Sequence, residues 1–433
     1  MSRTWMCVLT LLAISGAAPG LCGAPTAQAM TTASPPGQAV AAQTLATVER
    51  ALQRADVPVL ARLYEESARP ADRVLAAIAL ERIHFNLDKS TDDARVCERS
   101  LFASQPQVAF FCAQLANGNL RLAAGAQAAD ADELDMARRY ADTLQRRVGE
   151  HLRAYVVAQQ DQPPLQVLKP GGGFSVALER SVSNGWLPKL QVQANGQTTL
   201  LIVDTGSGYL TLDEDAAREL GVRMLDRSGR IRGLLSTDIP VKYGVLDKFT
   251  FADVTVLNAP VTVVPGRKRL IGIDLLRRLG ALRIAGDRLT VYATDDSRPA
   301  CEQPMLVASD AWGNRSRIVV ALAIEGTLQT VLLDTGSSSF LSADQSVMDT
   351  LHSGHNTRLD VHDMGPRRHQ ARINKATAEV IISGQPFQVT FDIFKDATMP
   401  WSYMLGAGAL EHMDFYLDYD NHHTCLLLHE DRH

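Results

Sequence analysis

Residues 200–212 read LLIVDTGSGYLTL, and residues 330–342 read TVLLDTGSSSFLS. A polar Asp-Thr-Gly-Ser block sits at the end of an aliphatic run in both places, 130 positions apart. The likeness extends outward. LQVQANGQTTLLIVDTGSGYL (190–210) lines up with VALAIEGTLQTVLLDTGSSSF (320–340) without a gap, and Gly196 falls on Gly326, a hairpin turn in both. Further along, LIGIDLLRRLGALRI (270–284) matches MLGAGALEHMDFYLD (404–418). Each copy spans roughly 110–120 residues, with Gln303 to Arg315 as the connector between them. Period-two alternation, frequent Val, Thr, Leu and Ile, and turns about every eight to twelve residues make both copies β-rich.

The block suggests a paired-acid site. If the copies pack about a pseudo-twofold axis, the loops meet there and bring Asp204 and Asp334 side by side. Two carboxylates sharing a site cannot both ionise easily, so one proton is held between them. Such a pair can activate water against an amide carbonyl with no covalent intermediate, cofactor or metal. Gly206 and Gly336 permit the sharp turn and leave room for substrate backbone. Thr205 and Thr335 are placed to tie the loops together across the axis, and Ser207 and Ser337 to hydrogen-bond and orient the carboxylates. The aliphatic runs anchor each loop on a buried strand.

These residues resemble the aspartic peptidases of pepsin-like and retropepsin-like fold. The resemblance rests on the doubled DTGS and on the downstream apolar-apolar-Gly followed by a short helix. It rests also on their spacing, 68 residues from Asp204 to Gly272 and 72 from Asp334 to Gly406. It covers about residues 185–430. It implies that Ile271, Gly272, Leu405 and Gly406 thread behind the catalytic loops. Because both Asp lie in one chain, it also implies an active monomer. It implies mobile hairpins, or flaps, closing over a peptide or unfolded-protein substrate. Candidates are Ser228–Gly233, with Gly229 and Gly233, then Tyr243-Gly244 as the runner-up, and in the second copy Asp363–Pro366 with Gly365. Both stretches are basic, and a solvated loop is the plain reading of that charge.

The rest of the chain bounds the answer. At 433 residues, 46% hydrophobic and 21% charged, it is globular and long enough for two or three domains. A net charge of −5 with no dense basic block argues against nucleic acid. Residues 1–29 read as a signal peptide, with Arg3, an apolar stretch and small residues at Ala27-Gln28-Ala29, so export to the periplasm or medium is expected. No later run is long enough for an integral membrane segment. Residues 30–37 form a disordered lead-in. Residues 38–160 carry three-and-four periodicity cut into six or seven helices, a solenoid-like array of hairpins that could dock a protein partner. Their breaks are expected at 56–58, 68–70, 89–90, 105–106 and 117–119. Residues 161–174 are a linker, 175–300 the first lobe and 301–433 the second. Cleavage of the leader leaves Cys97, Cys112, Cys301 and Cys425. Pairing within domains favours Cys97 with Cys112 and Cys301 with Cys425. The histidines around His352 and His355 lack a metal-site frame and read as surface residues.

The fold class is therefore an all-α hairpin domain followed by an all-β bilobed acid-protease fold. Two functions fit it: an exported aspartic endopeptidase, or a catalytically silent peptide-binding module that keeps the fold.

Overall fold

The computed structural model describes residues 36–144, 163–180, 187–348, 353–397 and 401–429. The leader, most of the lead-in, residues 145–160 at the end of the helical region and the first two residues of the linker lie outside them. The chain divides into two compact units, 1–40 and 41–433. Of the first, only the start of the helix Pro36–Arg54 is described. The second unit holds both the helical region and the two β-lobes.

Each lobe is built on its copy of the repeat. In the first, Pro188–Ala194 pairs antiparallel with Gln197–Val203 through a turn in which Asn195 and Gly196 both take positive φ. In the second, Arg317–Ile324 pairs with Thr327–Asp334 through Glu325 and Gly326 in the same conformation. That is the two-residue turn whose twist matches a right-handed hairpin. These hairpins sit in a nine-stranded and an eight-stranded sheet. A five-stranded sheet joins the lobes, with Ala281–Ile284 of the first paired to Met413–Asp418 of the second. The two halves thus share backbone hydrogen bonds as well as apolar core. Cys301 and Cys425 are bonded across the second lobe, and Cys97 and Cys112 across two helices.

The helical region comprises α1 (Pro36–Arg54), α2 (Val57–Glu66), α3 (Pro70–Ile83), α4 (Leu87–Leu101), α5 (Pro106–Ala124) and α6 (Ala126–Arg139). Asp56 caps α2 through Val59 N–H at 3.1 Å, and prolines open α3 and α5, where the ring's missing N–H costs no helical bond. Two expected breaks are not where composition puts them. Lys89-Ser90 lies inside α4, because Ser90 turns its hydroxyl inward to Ile78 O at 2.9 Å. Asn117-Gly118-Asn119 lies inside α5. Asn117 donates to Ala129 O at 2.6 Å and Asn119 to Ser90 Oγ at 2.9 Å, so the turn-forming amides are spent on tertiary bonds. The helix ends only at Gly125, at φ 103°.

Gly118 explains why α5 carries a glycine at its middle. A Cβ there would run into Ala311 O and would lie 2.7 Å from Gly313 N, so the helix meets the connector 303–315 backbone to backbone. The segment that reads as a mere connector is the anchor of the helical region. Ser309 N–H donates to Leu52 O at 3.1 Å, and Ala311 N–H to Glu49 at 3.1 Å. Arg82 and Arg121 donate to Ala311 O and Trp312 O, both at 3.0 Å. Arg82 is fully buried, which lowers its pKa to about 10 against the opposing pull of Asp310 and Glu49. Beneath these bonds, helix residues such as Leu52, Ile83 and Leu115 form one core with Ala308, Ala311, Val319, Leu332, Trp401 and Met404.

Gly118→Ala should test this contact. In an ordinary helix interior the change stabilises by about 0.5–1 kcal/mol. Here the methyl strikes backbone that cannot swing aside, and overpacking costs about 1–3 kcal/mol. The expected outcome is a lower melting temperature, read by calorimetry; an unchanged or higher one would rule out the close approach.

Candidate active site

The aliphatic strands Gln197–Val203 and Thr327–Asp334 deliver the two DTGS loops to a common point. The loops are tied by a reciprocal set of buried bonds. Thr205 N–H donates to Thr335 Oγ1 at 3.0 Å, and Thr335 N–H to Thr205 Oγ1 at 3.1 Å. Each hydroxyl then donates across the axis, Thr205 to Leu333 O at 2.8 Å and Thr335 to Val203 O at 2.6 Å. Both threonines are completely buried. Every polar atom in this cross-link is used, and each loop fixes the strand that carries the other.

Above the threonines the carboxyls of Asp204 and Asp334 hydrogen-bond one another. Asp204 Oδ1 also accepts from Gly206 N–H at 2.8 Å, and Asp334 Oδ1 from Gly336 N–H at 3.0 Å. A Cβ on Gly206 would fall on the Asp334 carboxylate, and one on Gly336 on the Asp204 carboxylate. Glycine is thus required by the partner acid rather than by φ. Burial, then the charge of Asp334, pushes Asp204 up to about 8. Burial also raises Asp334, while its bond to Asp204 and the nearby Arg317 pull the other way. The pair therefore keeps one proton between two oxygens across a wide pH range.

The serines do not take the part expected of them. Ser207 Oγ donates to Tyr209 O at 3.2 Å, and Ser337 Oγ pairs with Ser339 Oγ at 2.9 Å. The carboxylates are oriented by the glycine amides, and the hydroxyls brace the loop beyond. The serine carbonyls matter more, because Ser207 O accepts from Ile273 N–H at 2.9 Å and Ser337 O from Ala407 N–H at 2.7 Å. Those bonds lock each loop to the apolar-apolar-Gly segment. Leu270–Ile271 runs parallel to the first loop's strand, and Tyr403–Gly406 parallel to the second, pairing Leu405 with Leu333 and Gly406 with Asp334. A Cβ on Gly272 would lie 2.7 Å from Ser207 O, and one on Gly406 2.8 Å from Ser337 O. Bare glycine lets these segments thread behind the loops.

Each lobe carries a long hairpin, Arg223–Ile231 with Ile239–Phe251 in the first, and Ser353–His362 with Arg368–Ile382 in the second. Gly233 and Gly365 lie in their tips, whereas Gly229 and Tyr243 lie within paired strands of the first. Much of the basic charge is paired, Arg230 with Asp238 and Arg368 with Asp360. Sequence reading missed that the tips clasp each other. Asp363 accepts from Leu235 N–H at 3.0 Å, Ser236 N–H at 2.7 Å, and Ser236 Oγ and Gly365 N–H at 2.9 Å each. His369 Nε2 lies 2.8 Å from Ser236 Oγ, whose proton goes to Asp363, so the hydroxyl oxygen accepts there. Leu234 and Leu235 insert into a cluster of Ala371, Ile373, Phe394 and Ala397. Burial pushes Asp363 up, but its hydrogen bonds outweigh that and hold it below its ordinary value of 3.8. Arg317 beside the acids was missed as well; it lies just before the aligned stretch that begins at Val320.

Residues 190–276 match the family model described as aspartyl protease. The match spans the first copy from its opening hairpin through DTGS to the apolar-apolar-Gly segment. Among solved structures, the chain is similar to the aspartic proteinase from Irpex lacteus, at 14% identity and a TM-score of 0.39, over 59% of this chain and 97% of that one. No curated protein matches the chain.

Two outcomes are expected here. Asp204 holds its proton in the fold up to about 8 but loses it near 3.8 when unfolded, so stability falls as pH rises between those values. Asp204→Asn should therefore melt higher than the parent chain at pH 8 and alike at pH 3. Equal melting temperatures at pH 8 would show that the pair is not strained. For the clasp the sign is opposite. A depressed carboxylate stabilises above its unfolded value of 3.8 and loses that effect as pH falls through the folded one. Hydrogen exchange at Leu235 and Ser236, corrected for intrinsic rates, should be slow at pH 6. It should speed up at least tenfold in Asp363→Ala, and in the parent only below about pH 3.8. Protection indifferent to Asp363 would remove the clasp.

Proposed function

We propose that the chain is an exported aspartic endopeptidase. The observation that carries this reading is the hydrogen-bonded pair Asp204 and Asp334, held by the reciprocal threonine bonds. The ionised carboxyl takes a proton from a water lying between the pair. The oxygen of that water attacks the peptide carbonyl carbon, and the protonated carboxyl donates to the carbonyl oxygen. The tetrahedral species collapses as a proton passes to the leaving amine, and the dyad returns to its single-proton state. Holding that proton up to about pH 8 supports work at neutral as well as acid pH.

The leader sequence and the two disulfides, Cys97–Cys112 and Cys301–Cys425, support export, since such bonds persist in oxidising compartments. Both acids lie in one chain, which favours a monomer. The helical region shares core with the second lobe, which favours a permanent substrate-presenting role over that of a removable inhibitory segment.

The test is cleavage of an unfolded protein and a peptide library by the purified chain with residues 38–160 in place. Asp204→Asn and Asp334→Asn should each lower kcat/KM by about 10²–10⁴-fold or more. Cleavage that survives both changes rejects the dyad. Peptide binding with no turnover, insensitive to either change, would instead make the chain a binding module.

A further inference from the structure

The two copies align with an offset of 130, which sets Arg317 of the second lobe on Leu187 of the first. Both residues fall where the hairpin register, continued two residues past its last pair, reaches an acid. In the first lobe the register Lys189↔Ile202, carried two residues on, puts Leu187 across from Asp204. In the second, Val319↔Leu332 carried two residues on puts Arg317 across from Asp334. Directly opposed residues of an antiparallel pair share a face, about 4.5–5.5 Å apart at Cβ. The pseudo-twofold that places the dyad is therefore broken right beside it, with a buried Leu on one side and a cation on the other.

The guanidinium reaches back over the partner loop. Arg317 Nη1 lies 3.5 Å from the place of a Cβ on Gly208, so it rests on the first lobe's DTGSG turn. The same nitrogen donates to Ser316 O at 2.7 Å. Among the described residues, no carboxylate lies within ion-pair distance of it. Arg317 is half-buried, and a guanidinium has five donors in a planar fork suited to a bidentate carboxylate. Lys268 also bears on Asp334. With one proton shared, the dyad carries one negative charge against these two cations.

We propose that Arg317 is a specificity-determining residue that binds a carboxylate of the substrate beside the scissile bond. The substrate is then a peptide presenting an Asp or Glu side chain, or a free C-terminus, one or two residues from the cut. This rests on the endopeptidase reading for its cleavage arm. Binding can be read without it.

The experiment compares matched peptides, Glu against Gln at each position flanking the cut, and free acid against amide at the C-terminus. The chain should favour one charged form by about 10–100-fold in kcat/KM, the range of a partly buried charge-assisted bond. Which pair shows the effect tells side chain from C-terminus. Arg317→Leu, which copies Leu187, should bring the ratio to within about twofold, and Arg317→Lys should keep part of it. Melting curves check that both variants fold. The same pairs are titrated by fluorescence anisotropy on the Asp204→Asn chain, where nothing is cut. If the parent cuts nothing but binds the acidic form better in an Arg317-dependent way, the endopeptidase reading falls and the carboxylate site stands. A parent that treats charged and neutral peptides alike in both assays overturns the site. So does an Arg317→Leu chain that keeps the preference.

Discussion

Two carboxylates held a hydrogen bond apart, away from water, repel one another unless one keeps its proton. That repulsion is the constraint around which the lobes are organised. It is why the acids come from separate loops, since no single tight turn presents two side chains toward each other. It is also why the loops must be tied below the acids. The threonine cross-link does this with four bonds that include each lobe's own strand carbonyls. Loosening either loop would let the acids separate, and each would then ionise on its own. The serine carbonyls extend the brace one layer outward, to segments of the chain about 70 residues downstream. The site is rigid because every polar atom beneath it has a partner, and such networks hold a geometry only when complete.

How much of this is legible in a sequence follows from how local each requirement is. The acids, the threonines and the loop glycines are demanded by a turn of four residues, and they recur in both copies. The apolar-apolar-Gly segments are legible for the same reason, since close approach to a loop carbonyl requires a residue without a side chain. The roles of Ser207 and Ser337 were misread because a hydroxyl's partner depends on where Tyr209 O and Ser339 fall, which the four-residue block does not specify. The clasp was illegible altogether. Leu234-Leu235-Ser236 and Asp363 lie more than 120 residues apart, and neither tip carries the glycine-rich run that marks a mobile hairpin. In the helical region, Asn117-Gly118-Asn119 has the composition of a turn. Tertiary partners for both amides and a backbone surface facing Gly118 override it.

The connector 303–315 shows where function diverges from the symmetry of the repeat. In the first copy the described residues before the hairpin instead include the strand Phe174–Ala177, paired with Arg288–Val291. In the second copy the connector carries Ser309, Ala311 and Trp312 into the helical region, and only then turns into the strand that begins at Arg317. The strand that sets the cation beside Asp334 is therefore positioned at its start by α1, α3 and α5. A gene repeat supplies two equivalent halves, but a peptide has direction, and a cleft with identical sides cannot read it. Anchoring one half to an added domain while placing Leu on one side and Arg on the other makes the two halves chemically unequal. The helical region then belongs to the two-lobed unit physically: removing it would expose Ala308, Val319, Leu332 and Met404, and would release the backbone that leads into Arg317.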